Sequence, residues 1–319
     1  MNDDRPDPAT LHRRTGDPRP IGVFDSGVGG LTVARALMDL LPDERLVYFG
    51  DTARGPYGPR DLDVVRRFTA EIVQWLVAQD TKLVVAACNT ATAAALEPST
   101  SGPLGFDVPV VGVIRPAVDT AVRATRNGRV GVIGTVGTVE SGAYDRAVAE
   151  VATDIKVFSQ ACPRFVELVE RGRTTDPEVL EVAADYLGPM VAAGIDTLIL
   201  GCTHYPLLTG VLTYVMGPGV VLVSSAEETA RRVFVDLVDR KALAHGEPVR
   251  AGHRFVASGT PASFAELGAR FLGPRLTAVD VEHGEPETAQ RPRAGSGQQP
   301  PSASSAIMAP DRTAAGGRC

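Results

Sequence analysis

The sequence predicts an α/β protein built from two pseudo-symmetric units, each with a parallel β-sheet. Short β-branched, apolar segments alternate with segments of helical periodicity along the chain. Most of these apolar segments do not alternate with polar residues, which is typical of strands that helices cover on both faces. In addition, one succession of strand, glycine-rich turn, later strand and cysteine occurs twice. Together these three observations favour two similar parallel-sheet domains with a cleft between them.

Nine segments fit buried strands. In chain order they are Ile21–Phe24, Leu46–Phe49, Leu83–Ala87, Val108–Val113, Val130–Ile133, Ile155–Phe158, Thr197–Leu200, Val220–Val223 and Arg254–Ala257. Helical periodicity between them is clearest in Asp61–Gln79, Ala143–Val151, Pro177–Ala193 and Ala226–Arg240. Parallel sheets of this kind bind ligands outside the carboxyl ends of their strands. We therefore expect the functional residues directly after the strands.

Both ends of the chain have a different composition from the rest. Residues 1–19 are polar and interrupted by prolines, and residues 285–319 are rich in Pro, Gly, Ser and Ala with almost no large apolar side chain. Such segments cannot bury enough apolar surface to offset the conformational entropy lost on ordering. We predict that both are disordered, which leaves residues 20–284 for two modest α/β units.

Composition excludes several classes of protein. The 319 residues carry a formal net charge of −6, which argues against a protein built to hold nucleic acid. No apolar run approaches the roughly 20 residues that a membrane helix needs, and the first residues lack the apolar region of a secretory signal. The four cysteines form no C-x-x-C pair. We expect a cytoplasmic protein with free thiols.

The internal repeat places two cysteines at equivalent positions. The segment that starts at Ile21 matches the segment that starts at Val130, and each is a strand followed by a hydroxyl residue and a glycine-rich turn. Cys88 and Cys202 each follow a later strand and precede two polar residues. Two βα units resemble one another by necessity, but the shared cysteine position favours a true repeat.

Cys88 and Cys202 are therefore the main candidates for chemistry. A thiol at a helix N-terminus is exposed to the helix dipole and to free N–H groups, which lower its pKa toward neutrality. Two units that face each other would present their thiols to opposite sides of a bound molecule. Such a pair can remove a proton from one face of a carbon and return one to the other. The alternatives are buried structural cysteines or a disulfide between the two.

Other polar residues follow the strands. Asp25 could tune a thiol or hold an ammonium group, whereas the glycines after it do not form a G-x-G-x-x-G nucleotide motif. His204 could hold or relay a proton, or could join Cys88 and Cys202 as a metal ligand. The loop over residues 51–60 contains two prolines and two glycines, which give it a defined shape. Because it also carries Arg54 and Tyr57, it suits the recognition of a carboxylate.

The sequence resembles the glutamate racemases of the Asp/Glu racemase superfamily over roughly residues 20–275. The matching motifs are Ile21-Gly-Val-Phe-Asp-Ser-Gly-Val-Gly-Gly, Asp51-Thr-Ala-Arg with Pro56-Tyr-Gly, Ala87-Cys-Asn-Thr-Ala-Thr, Val132-Ile-Gly-Thr-Val-Gly-Thr and Gly201-Cys-Thr-His-Tyr-Pro-Leu-Leu. The resemblance implies a cofactor-independent enzyme that makes D-glutamate for peptidoglycan. It assigns the deprotonation of D-glutamate to Cys88 and that of L-glutamate to Cys202.

The resemblance also implies the remaining site residues and the domain order. Supporting acid–base groups would be Asp25, His204 and Glu167, and substrate contacts would come from Asp25, Ser26, Tyr57, Gly58, Asn89, Thr90, Thr135, Thr138, Thr203 and His204. The first domain would comprise residues 20–113 and 224–284, with residues 114–223 inserted as the second domain. No metal is expected. No pyridoxal phosphate is expected either, since Lys82 directly precedes a buried strand and Lys156 and Lys241 have no distinctive context.

Relatives of this kind form homodimers, and some are reported to inhibit DNA gyrase, so both are expectations here. Two alternatives to a glutamate racemase stay open. One is a racemase of aspartate or of another acidic amino acid, and the other is a non-catalytic protein that binds a partner such as gyrase. Neither a membrane nor direct contact with nucleic acid is expected.

Overall fold

The computed structural model describes residues 16–96, 105–244, 252–273 and 281–286. The strands in these ranges are β1 (Ile21–Asp25), β2 (Leu46–Gly50), β3 (Leu83–Ala86), β4 (Val110–Gly112), β5 (Arg129–Gly134), β6 (Lys156–Ala161), β7 (Thr197–Gly201), β8 (Val221–Ser224), β9 (Arg254–Ala257) and β10 (Val281–His283). The helices are α1 (Leu31–Leu40), α2 (Leu62–Ala78), α3 (Asn89–Ala95), α4 (Ile114–Ala124), α5 (Val136–Glu140), α6 (Ala143–Val151), α7 (Arg164–Glu170), α8 (Pro177–Ala192), α9 (Thr209–Met216), α10 (Ser225–Asp239) and α11 (Pro261–Leu272).

The strands form two fully parallel sheets with the same internal order. The first sheet has the order β10-β9-β2-β1-β3-β4, and the second has the order β6-β5-β7-β8. The four strands β2-β1-β3-β4 correspond one to one with β6-β5-β7-β8. The repeat inferred from the sequence is therefore a repeat of topology, and the predicted fold class is confirmed.

The central strands are buried because both of their faces are covered. Every residue of β1, β2, β3 and β7 is buried. Helices α1 and α10 pack against each other, as do α2 with α3 and α4 with α6. The run of apolar residues in each strand thus reflects helices on both sides of the sheet, as the sequence predicts.

Local signals fix the ends of several helices. Helix α2 begins after Asp61, whose carboxylate accepts a hydrogen bond from the Asp63 N–H at 2.8 Å. Helix α8 begins with Pro177, which lacks the N–H that the first turn would leave without a partner. The predicted helix over Ala143–Val151 agrees with α6 at both ends.

Some predictions need correction. The nine predicted strands agree with observed strands to within a few residues at each end, but β10, which pairs with β9 at the edge of the first sheet, is not among them. Residues 16–19, predicted to be disordered, make defined contacts: Lys82 Nζ donates to the Asp17 carbonyl at 2.8 Å, and Asp17 pairs with Arg19 at 2.6 Å. The other residues of the two predicted disordered ends, except 285 and 286, lie outside the described residues.

The predicted domain boundaries fall between the strands of the first sheet and those of the second. Strands β1 to β4, β9 and β10 belong to the first sheet, and β5 to β8 form the second. The boundaries at residues 113/114 and 223/224 themselves stay a prediction. No helix in the described part of the chain is long and apolar enough to cross a bilayer.

Candidate active site

The candidate residues gather where the strand order reverses in each sheet. The chain leaves β1 toward β2 on one side but reaches β3 on the other, and β5, β6 and β7 repeat this arrangement. Diverging connections open a crevice at the carboxyl ends of the two middle strands. Asp25 ends β1 and Cys88 follows β3, whereas Thr135 follows β5 and Cys202 follows β7.

Cys88 is the N-cap residue of α3. Its Sγ accepts a hydrogen bond from the Ala91 N–H at 3.5 Å and lies 3.8 Å from Ser26 Oγ. The residue is 6% exposed, so the sulfur is nearly enclosed. The helix N-terminus expected from the sequence is therefore present beside this thiol.

The pKa that was expected for Cys88 is nevertheless wrong in direction. Burial raises the pKa of the thiol to about 12, and the neighbouring Asp25 carboxylate adds to this rise. The hydrogen bonds with Ala91 and Ser26 lower the pKa by less than burial raises it. Cys88 is consequently a thiol that retains its proton at neutral pH.

Cys202 has a different set of neighbours. It is followed by a turn and a 3-10 helix, Tyr205–Leu208, so the α-helix N-terminus inferred from the sequence is absent at this position. Its Sγ lies 3.9 Å from His204 Nδ1, and His204 Nε2 lies 3.0 Å from Glu170 Oε1. A thiol, an imidazole and a carboxylate therefore form a connected chain.

His204 is charged in this arrangement. Burial lowers the pKa of its imidazole, but the hydrogen bonds to Cys202 and Glu170 and the nearby Asp25 together raise it to about 10. Burial also raises the pKa of Asp25, and the charge of His204 counteracts part of that rise. Charges from both sheets thus influence one another across the site.

A cavity of about 470 Å³ lies between the two sets of residues. Its size suits a small metabolite. Both thiols line it, together with Ser26, Tyr57, Gly58, Asn89, Thr90, Thr135, Glu167, Glu170, Thr203 and His204. Asp25 and Thr138 are buried and lie next to lining residues, Asp25 beside Ser26 in sequence and Thr138 within 3.2 Å of Thr90 Oγ1.

Three hydroxyl groups join the two sheets at one wall of the cavity. Thr90 Oγ1 lies 2.9 Å from Thr135 Oγ1 and 3.2 Å from Thr138 Oγ1, and the last two are 3.0 Å apart. Thr90 comes from the first sheet, whereas Thr135 and Thr138 come from the second. Hydroxyls can donate or accept, so this triangle can turn toward a bound carboxylate.

Tyr57 does not offer its hydroxyl to the cavity. The side chain is fully buried, and its OH donates to the carboxylate of Asp51. Among the sequence-predicted contacts, Tyr57 and Gly58 can therefore reach a ligand through their main chain. The Gly58 carbonyl also accepts a hydrogen bond from the Gly137 N–H at 2.8 Å, which ties this loop to the second sheet.

The acidic residue that contacts His204 is Glu170, which the sequence analysis missed. Glu167 lines the cavity but is 64% exposed and pairs with Arg171 at 3.9 Å. The two glutamates lie one turn apart on the same face of α7, so the sequence locates the helix but not the turn that meets His204. The signal that could have found Glu170 is its spacing of three residues from Glu167.

The cofactor expectations can be compared with the geometry. Within the described residues, no group of three or more His, Cys, Asp or Glu side chains is arranged to hold a metal ion. Lys82 is buried in an ion pair with Glu44 at 2.6 Å. Cys88, Cys162 and Cys202 are free thiols, and Cys319 lies outside the described residues.

Comparison with known proteins identifies the family of this chain. A family model described as Asp/Glu/Hydantoin racemase matches residues 31–233. A glutamate racemase of Beutenbergia cavernae is 53% identical over 282 residues, which cover 86% of this chain and 96% of that protein. A glutamate racemase of Saccharopolyspora erythraea is 55% identical over 265 residues, which cover 82% of this chain and 95% of that protein. The chain belongs to the glutamate racemase family.

Solved structures place the racemase in the same family. The crystal structure of glutamate racemase isoform RacE1 from Bacillus anthracis matches with a TM-score of 0.76 and 40% identity, covering 83% of this chain and 96% of that one. That of the Francisella tularensis glutamate racemase in complex with D-glutamate matches with a TM-score of 0.75 and 34% identity, covering 84% and 96%. The resemblance inferred from the sequence motifs is confirmed, and the enzyme is an isomerase.

Proposed function

We propose that this racemase interconverts L- and D-glutamate by moving protons at Cα between Cys88 and Cys202, without a cofactor. The observation that carries the proposal is that two thiols, one from each sheet, line the same cavity. A single base would have to turn the substrate over between removing and returning the proton. Two thiols that reach the substrate from different sides would avoid that movement.

Two polar groups, one on the cavity wall and one next to it, suit an amino-acid substrate. Asp25 Oδ1 and Asn89 Nδ2 are buried and have no hydrogen-bond partner in the described part of the chain. A carboxylate oxygen can accept from an ammonium group, and an amide N–H can donate to a carboxylate. Ligand-binding sites commonly leave such atoms without a partner until the ligand arrives. The Francisella relative was solved with D-glutamate and an Escherichia coli relative with L-glutamate, which supports glutamate as the substrate.

We infer the order of proton transfer from the contacts of the two thiols. Cys88 keeps its proton because burial raises its pKa, and Cys202 lies beside His204, whose imidazole can hold a positive charge. With L-glutamate, the Cys202 thiolate takes the Cα proton and the Cys88 thiol donates its proton to the opposite face. The product is D-glutamate, with a Cys88 thiolate and a Cys202 thiol. The reverse reaction starts from that state.

The chain's place in metabolism follows from the product. D-glutamate is the product expected to serve peptidoglycan synthesis, and the relatives reported above favour glutamate over aspartate. Homodimer formation, a cytoplasmic location and the inhibition of gyrase stay predictions from the resemblance. No contact described here favours the non-catalytic alternative.

Racemisation in D₂O tests the proposal. L-glutamate is incubated with the enzyme, and deuterium at Cα is measured in both enantiomers early in the reaction. The D-glutamate should carry deuterium from the Cys88 thiol, whereas the remaining L-glutamate should still carry protium. Absence of turnover, or D-glutamate that retains the original protium, would contradict the two-thiol scheme. L-aspartate run in parallel distinguishes the two acidic substrates.

A further inference from the structure

A buried carboxylate at the end of β2 holds the loop that forms one wall of the cavity. Asp51 is 0% exposed. Its Oδ2 accepts from Arg54 Nε at 2.7 Å and from the Tyr57 hydroxyl, and its Oδ1 accepts from Ser258 Oγ at 2.7 Å. One carboxylate thus fixes the loop at two points and ties it to the residue after β9.

A second layer of contacts surrounds this carboxylate. Arg54 Nη1 donates to Glu71 Oε2 at 2.5 Å, and the Arg54 guanidinium lies 4.1 Å from the centre of the Phe68 ring. Ser258 Oγ also accepts from the Ala53 N–H at 3.0 Å. A buried charge with this many partners is costly to disturb, because removing one partner leaves the others without compensation.

The other end of the same loop meets the second sheet. The Gly58 carbonyl accepts from the Gly137 N–H at 2.8 Å. A Cβ added at Gly58 would lie 2.8 Å from Thr135 Cβ, closer than side chains pack. Tyr57, Gly58 and Thr135 all line the cavity, whereas Asp51 does not.

We propose that Asp51 is a positioning residue for racemisation. Through Arg54 and the Tyr57 hydroxyl, it sets where the main chain of Tyr57 and Gly58 stands against Thr135, and so where bound glutamate lies relative to the two sulfur atoms. Asp51 transfers no proton to the substrate. This inference rests on the proposed function, because glutamate racemisation is its readout.

The first test is the Asp51→Asn variant, assayed as the full-length enzyme. Its amide keeps the shape of the side chain but removes the negative charge that balances Arg54. Misplacing a bound substrate by about 1 Å can lower the reaction rate by about 10²-fold. We therefore expect kcat/KM for glutamate to fall by about 10- to 100-fold. The change should appear in kcat as well as in KM, because the loop contacts the substrate and also sets its distance from the two sulfur atoms.

A double-mutant cycle tests whether the effect passes through Tyr57. Tyr57→Phe removes the hydroxyl and keeps the ring, and Asp51→Asn is then added to it. If Asp51 acts through Tyr57, the fall in kcat/KM of the double variant should be much smaller than the product of the falls in the two single variants. Multiplicative losses would overturn the proposed route. If Asp51→Asn does not fold, Tyr57→Phe and Ser258→Ala each remove one hydrogen-bond donor to Asp51, and their kcat/KM values still test the proposal.

Asp196→Asn is the matched control. Asp196 accepts hydrogen bonds from Thr125 Oγ1, the Arg126 N–H and the Asn127 N–H, at the end of the second sheet away from the cavity. This variant should lose thermal stability and keep the wild-type KM. An Asp51→Asn enzyme with wild-type kinetics, or an equal rise in KM for the control, would overturn the inference. Failure of the wild-type enzyme to racemise glutamate would instead contradict the proposed function.

Discussion

The two thiol sites share a backbone frame and differ in the groups that support the sulfur. Cys88 caps α3 and is close to Ser26 and Asp25, whereas Cys202 precedes a turn and interacts with His204 and Glu170. The first site keeps a thiol protonated and the second keeps an imidazole charged. A repeated strand order therefore does not require repeated electrostatics.

Thermodynamics limits what this asymmetry can do. The equilibrium constant between two enantiomers is unity, so kcat/KM must be the same in both directions at every pH. Differences between the two sites can make kcat differ between the two directions, but KM must then differ by the same factor. The kinetics of each variant therefore need to be measured from both enantiomers.

The largest expected effect is the loss of either thiol. Cys88→Ala and Cys202→Ala should each lower kcat/KM by about 10⁴-fold or more in both directions, since every turnover needs one donor and one acceptor. The measurement is the rate of racemisation from each enantiomer. Cys162→Ala is the control, because this buried cysteine lies outside the cavity lining, and it should keep most activity. Robust turnover by either single variant would show that one thiol suffices.

Adjacent glycines allow each site to be disturbed separately. A Cβ at Gly29 would overlap His204 Nδ1 and Thr203 Oγ1, whereas a Cβ at Gly30 would lie 2.5 Å from Asp25 Cβ. Gly29→Ala should therefore displace the Cys202 site and Gly30→Ala the Cys88 site, each with a loss of about 10²-fold in kcat/KM.

The control for these two variants is Gly188→Ala. A Cβ at Gly188, on α8, meets nothing within 4 Å. This substitution should keep activity and raise stability by about 0.5–1 kcal/mol, as replacing a helical glycine with alanine usually does. Normal kinetics in both Gly29→Ala and Gly30→Ala would show that the two sites tolerate displacement.

A smaller effect is expected at the carboxylate behind His204. Glu170→Gln removes the charge that helps to hold the imidazolium, so kcat/KM should fall by about 10-fold. Glu167→Gln should have the smaller effect, since Glu167 is exposed and pairs with Arg171. Steady-state kinetics of both variants decide between the two glutamates. A larger loss at Glu167 would restore the assignment implied by the sequence motifs.

The smallest expected effect is on stability at alkaline pH. The folded state raises the pKa of His204 from 6.5 to about 10, so it holds a proton that the unfolded chain releases. The free energy of unfolding should therefore decrease between about pH 6.5 and pH 10, where the folded state binds more protons than the unfolded one. Urea unfolding across this range measures the slope, and His204→Asn should reduce it. An unchanged slope in that variant would assign the effect to other groups.

The sequence predicts what depends on local pattern. Apolar runs locate the strands, and the repeat with its motifs identifies Cys88 and Cys202. Three features depend on packing between distant segments and could not be predicted. They are the burial that raises the pKa of Cys88, the turn of α7 that brings Glu170 to His204, and the hydrogen bond of the Tyr57 hydroxyl to Asp51.

The hydrogen bond between Ser258 and Asp51 joins positions 207 residues apart. During synthesis at about 5–20 residues per second, Asp51 leaves the ribosome roughly 10–40 s before Ser258. Through that interval β2 lacks its partner β9 and presents an unpaired edge to other nascent chains. Ser258, which completes the anchor of the cavity wall, is thus translated 207 residues after Asp51, so a truncated chain that ends before β9 would lack that anchor.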